Sequence, residues 1–201
     1  MLTRRASLLL PLLIAGCGEE ERNFPPLRYR YLTPLQLNVA AIQVEQRFVP
    51  SGAAPDVSEH DPVPPLQALR AMAEDRLQAL GGAGQALFIV QDASLTRHGD
   101  TINGHFAVEL DIVNAPNQRA GYARAEVSGA YTGDLDDLPG RLYDMTKTLM
   151  DRMNVEFEYQ VRRSLGPWLM SATAVPAPVQ QQPLLQAPPG PPPPAPLRTA
   201  P

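Results

Sequence analysis

One cysteine, three histidines and a few carboxylate clusters are the residues of this 201-residue chain whose types could do chemistry. The thiol of Cys17 stands alone, so the chain has no second sulfur for a disulfide or a thiolate metal set. It follows Ile14-Ala15-Gly16, in which Ala15 and Gly16 are small enough for the backbone to enter a narrow peptidase cleft. Its sulfur is a group open to alkylation. His98 and His105 flank Asp100, and a surface metal site there needs a further ligand at matching spacing, which the sequence lacks. His60 stands apart in a proline-rich stretch. Asp134, Asp136 and Asp137 lack the glycine and distal glutamate of a calcium loop and read instead as a helix cap and first-turn charges. Ser51, Ser58, Ser94 and Ser128 sit in no nucleophile elbow. Asp92 closes an apolar run and reads as a hydrogen-bonded strand-end carboxylate. Gly81-Gly82-Ala83-Gly84 precedes a strand rather than opening a helix, unlike a phosphate-binding turn. The expectation is no catalytic residue, no metal and no cofactor. An enzyme whose site is assembled from scattered residues stays as one alternative.

The residues in front of Cys17 say how it would be reached. Arg4 and Arg5 form a short positive region, and Ala6 to Ile14 is apolar apart from one serine and one proline. A spanning helix needs about 20 apolar residues, so this run is too short to cross a bilayer and reads as a signal-peptide core over residues 1–16. Ile14-Ala15-Gly16-Cys17 resembles the lipobox of bacterial lipoproteins. The resemblance implies cleavage between Gly16 and Cys17, acylation of Cys17, conventionally with three chains, and an envelope protein held to a membrane through that lipid. Each buried methylene is worth about 0.8 kcal/mol and stable anchoring takes more than one chain, a condition three chains meet. Gly18 follows the cysteine. In the enteric pattern an aspartate there retains a lipoprotein at the inner membrane, so glycine implies the outer membrane, facing the periplasm. Thr3-Arg4-Arg5 is also similar to the start of a twin-arginine signal, but Ser7 stands where a phenylalanine is expected and the leucine-rich core suits the general secretion route. The alternative to lipidation is a plain secretory signal with an incidental cysteine.

Composition narrows the class further. The length suits one domain plus tails. The formal net charge is −4 and no basic patch is visible, so nucleic acid is not expected as a partner. Proline is frequent, at 23 residues, and crowds toward the end of the chain, which separates domain from tail.

Residues 17–37 read as a lipidated cysteine and solvated tether, interrupted by Pro25-Pro26 and Pro34, although Leu27, Tyr29 and Tyr31 offer apolar groups that could meet a domain edge. Asn38 to Phe48 alternates, with Ala40, Ile42, Val44 and Phe48 on one face, and predicts a half-buried strand. Val49 to Pro65 carries five prolines and predicts a long surface connection. Leu66 to Leu80 predicts a helix with Pro65 at its start, Arg70, Glu74, Asp75 and Gln78 outward, and Gly81-Gly82 as its stop. Ala86 to Ala93 is apolar throughout and predicts a central strand. Ile102 to Val113 and Gly121 to Tyr131 alternate and complete an antiparallel meander. Asp134 to Leu165 predicts a long helix, capped by Asp134 and stopped by Gly166-Pro167; its unbroken apolar stripe either lies over the sheet or projects to receive a partner. Residues 171–201, ending in a run of prolines, are expected to be disordered with polyproline character.

These elements predict an α+β domain over residues 38–170: a single four-stranded, mostly antiparallel sheet in the order β-α-β-β-β-α, with two helices on one face. That layout behind a lipobox is similar to the auxiliary lipoproteins of ABC-type transport systems, over roughly residues 38–165 and on no residue motif. The resemblance implies an accessory part in envelope transport. The function expected is a non-enzymatic cell-envelope lipoprotein, held to a membrane by Cys17, that binds protein partners or lipid. A structural or peptidoglycan-associated spacer that uses the proline-rich tail is the other alternative.

Overall fold

The computed structural model describes residues 22–114 and 118–170. The signal segment, Gly16, Cys17 and the proline-rich tail lie outside them. Alternation and apolar runs produce a four-stranded sheet in the order β2-β4-β5-β6, from Ala41–Gln46, Gln85–His98, Thr101–Asn114 and Gln118–Thr132. The last three strands form the antiparallel meander that their alternation predicts. β2 runs parallel to β4, as a strand-helix-strand crossover requires, and α1 (Pro65–Arg76) supplies the crossover. The result is the expected α+β fold with a mixed, mostly antiparallel sheet. β4 outruns its predicted end. A register shift between Val90 and Asp92 lets pairing with β5 continue to His98, so Asp92 lies inside a strand rather than at its close. Gly99, at φ +60°, takes the left-handed conformation of the hairpin turn.

One face of this sheet is covered. α2 (Leu138–Ser164) spans 27 residues and presents Leu142, Met145, Leu149, Met153, Phe157 and Val161 to it, all buried. Phe157 meets Phe88 edge to face, with ring centroids 5.6 Å apart. Leu69 and Met72 of α1 belong to the same core as Phe106 and Leu110. Burial of each such side chain is worth roughly 1.5–3 kcal/mol, and the stripe stays buried through Val161 and Leu165, so the end of α2 packs rather than projects. Gly104 makes room for it: a Cβ there would lie 2.5 Å from Leu149 Cδ1. The helix starts later than its charges suggest. Asp137, not Asp134, caps it by accepting from the Gly140 N–H at 3.0 Å, while Asp134 accepts from the Asp136 N–H in the preceding turn.

Other expectations need correction. The sheet is not single: β1 (Leu35–Leu37) pairs in parallel with β3 (Leu77–Ala79) as a small second sheet. α1 accordingly ends at Arg76, where Leu77 turns to extended backbone at φ −101° and ψ 132°, short of the Gly81-Gly82 stop. Leu77, which continues the helical period, belongs to a strand instead, and Leu80 lies just past its end. Asp75 does not face outward. Its carboxylate is 2% exposed, takes the Tyr29 N–H at 2.8 Å and pairs with Arg28 and Arg30.

Those contacts also fix the segment expected as a solvated tether. Tyr29, Leu35 and Leu37 are buried, so residues 22–37 pack on the domain where a free spacer was expected. Phe24 stacks against Tyr143, with centroids 5.3 Å apart, and the Tyr143 hydroxyl donates to the Pro25 carbonyl at 3.0 Å. The proline-rich connection is likewise anchored. Val57 N–H donates to the Leu95 carbonyl at 2.8 Å, and the Leu95 N–H donates to Ser58 Oγ at 2.8 Å, extending the edge of β4 where β2 leaves it.

Candidate functional site

The residues singled out for chemistry are scattered over the domain. His60 is exposed on a 3-10 turn at Ser58–His60, and His98 is exposed beside the hairpin turn. His105 stands on β5 opposite Ser94, away from both. Among the described residues no three of His, Cys, Asp and Glu converge as metal ligands. Ser58 and Ser94 make structural hydrogen bonds. Gly81 is a packing residue: a Cβ there would stand 2.5 Å from the Asn38 backbone.

The uncovered face of the sheet is where the charged alternates gather. His105 lies between two carboxylates, Nδ1 at 3.1 Å from Asp92 and Nε2 at 2.9 Å from Glu126. The Glu126 hydrogen bond, together with Asp92, raises the imidazole pKa against the effect of its partial burial. Arg124 reaches Glu126 at 3.2 Å. Further along, Arg119 binds Glu109 at 2.7 Å and Asp111 at 2.6 Å and lies 4.1 Å over the Tyr122 ring. A hollow of about 450 Å³ opens beside His105, lined by Ser94, Thr96, Asn103 and Ser128. Its chemistry is limited, because both imidazole nitrogens already have carboxylate partners. Neither holds a free lone pair for a metal or for general base work.

On the other side of the domain the N-terminal segment and the helices shape two concavities. A groove of about 370 Å³ runs between Pro26-Leu27-Arg28 and α1, lined also by Val63, Leu66 and Ala71. A cleft of about 190 Å³ lies where Tyr31 and Leu32 meet Val155 of α2. Beneath it Arg76 is 1% exposed, and its guanidinium donates to the Thr33 carbonyl, to Asn154 at 3.0 Å and to Glu158 at 2.6 Å. Such burial needs this full set of partners, because an unpaired buried charge is costly. Around the cleft Tyr31 and Val155 are each more than 70% exposed, and Tyr159, one turn beyond Val155, is half exposed. The sequence reading missed Arg76. Its place three residues after Ala73 and seven after Leu69, on the helix's apolar stripe, was the available signal.

No family model matches the sequence, and no curated protein is similar to it. Among solved structures, the chain is similar to a Caulobacter crescentus protein assigned as a lipoprotein, at 15% identity and TM-score 0.33, covering 60% of this chain and 85% of the other. It is also similar to a minor lipoprotein of Acinetobacter baumannii, at 9% identity and TM-score 0.35, over 62% and 94% of the two chains. The PelC dodecamer of Paraburkholderia phytofirmans overlaps at 11% identity and TM-score 0.24, over 61% and 92%. Overlaps this loose carry no argument about what the chain does.

Proposed function

We propose that this chain is a non-enzymatic cell-envelope lipoprotein, anchored through acylated Cys17, that binds protein partners or lipid as an accessory component of an envelope transport system. The observation that carries the reading is Ile14-Ala15-Gly16-Cys17 behind a basic, short apolar leader. No helix among the described residues is long and apolar enough to cross a membrane, so in this reading the acyl chains supply the hold. Gly18 directs the product to the outer membrane, on its periplasmic side. The exposed ring of Tyr31, Val155 and Tyr159 around the Arg76 cleft offers the partner a contact surface. Replacing Cys17 by serine tests the anchor: the precursor stays uncut by the lipoprotein peptidase and takes up no lipid label. A Cys17→Ser chain that is still cut before residue 17, or that takes up lipid label like the wild type, counts against it.

A further inference from the structure

We propose that one end of the domain faces zwitterionic lipid headgroups: the β4–β5 hairpin, residues 131–137 and the first turns of α2. The proposal rests on acylation at Cys17. Arg22 is held at that end by two ion pairs, to Asp137 at 2.7 Å and Asp144 at 2.8 Å. Both are surface pairs, each worth at most about 1 kcal/mol, but Phe24 on Tyr143 and the Tyr143 bond to Pro25 hold the same stretch. Five residue steps separate Cys17 from Arg22, and at about 3.5 Å each they reach at most about 17 Å. The leash is therefore shorter than the body it holds, since the 27 residues of α2 extend about 40 Å at 1.5 Å per residue.

The sheet register shows which parts share the leashed end. His98 pairs with Thr101, Thr101 pairs with Thr132, and the Gly133 N–H donates to the Asp100 carbonyl at 3.1 Å. The last turn of α2, Trp168 and Met170 lie at the other end, where the Met170 N–H donates to the Gln36 carbonyl at 2.9 Å. Charge selects the kind of lipid. Asp100, Asp134, Asp136, Asp137 and Asp144 outnumber Arg22, Arg97 and Arg141 at this end, which disfavours an anionic surface and leaves headgroups of no net charge. None of the exposed large apolar side chains among the described residues falls within residues 97–101 or 131–144, so the contact is a headgroup contact without insertion.

The native chain carries the probe for its own far end, because Trp168 is its single tryptophan. The mature chain, its Cys17 thiol coupled to a maleimide phospholipid, is placed on phosphatidylcholine vesicles bearing headgroup nitroxides. Trp168 emission stays close to its value on unlabelled vesicles, and a His98→Trp, Trp168→Phe chain is quenched several times more strongly. Equal quenching of the two, or stronger quenching of Trp168, overturns the proposal. If Trp168→Phe loses the cooperative thermal transition, His98→Trp alone carries the test, and its quenching must exceed that of the wild type. Because the lipid is attached chemically, the result is independent of acylation in the cell. Failure of the anchor shows instead as an unmodified Cys17 in protein taken from native membranes.

Discussion

The two faces of the sheet are made by the same strands and do opposite work. Under the helices stand Phe88, Val90, Phe106, Val108, Leu110 and Ile112, all fully buried. One residue along on each strand stand Glu45, Asp92, His105, Glu109, Arg124 and Glu126, tied into surface ion pairs. Period-two alternation sorts them, except at Asp92, which the register shift after Val90 moves to the open face. The covered face holds the fold, and the open face keeps its charges at the surface, paired with their neighbours.

The comparison breaks first where the covered face is emptied. Phe157→Ala removes the partner of Phe88 and is expected to cost about 3–5 kcal/mol, read by denaturant unfolding. Gly104→Ala tests fit rather than burial. Its new methyl meets Leu149 and Leu95, and a loss of about 1–3 kcal/mol follows from overpacking. The third test uses pH. Asp61 is buried, accepts from Thr146 Oγ1 at 2.5 Å and from the Val63 N–H, and burial pushes its pKa up to about 6. The unfolded chain titrates near 4, so the folded state binds the extra proton between these values. Stability from this group is present below about pH 4 and is lost as pH rises through about 6. Asp61→Asn flattens that slope in thermal melts; an unchanged slope removes Asp61 as its source. The open face gives the smallest effect. Arg124→Ala loses one exposed pair and is expected to cost about 0–1 kcal/mol, vanishing at high salt; a loss matching that of Gly104→Ala would erase the contrast between the faces.

Much of this was legible in the residues. The strands from Gln85 to Thr132 and the stripe of α2 follow from strong alternation and an unbroken helical period, because each element buries one face against the next. The small second sheet was not legible. Leu35–Leu37 is short and sits after Pro34, and Leu77–Ala79 continues a helical period, so neither carries a local strand signal; their pairing is decided by tertiary packing. The same holds for Asp75 and Arg76, charged residues whose burial depends on partners 43 to 82 residues away. The hydrogen-bonded environment of His105 also escaped the sequence, since Asp92 and Glu126 reach it only through strand register. The lipobox segment was read from residue types alone, and Gly16 and Cys17 lie outside the described residues.

The central claim is a covalent one, and the mass of the N-terminal peptide tests it most directly. Protein isolated from its native membranes is expected to begin at Cys17, with residues 1–16 gone and the cysteine heavier by its acyl and diacylglycerol groups. A chain that retains Met1, or that carries residue 17 as a free thiol, contradicts the account.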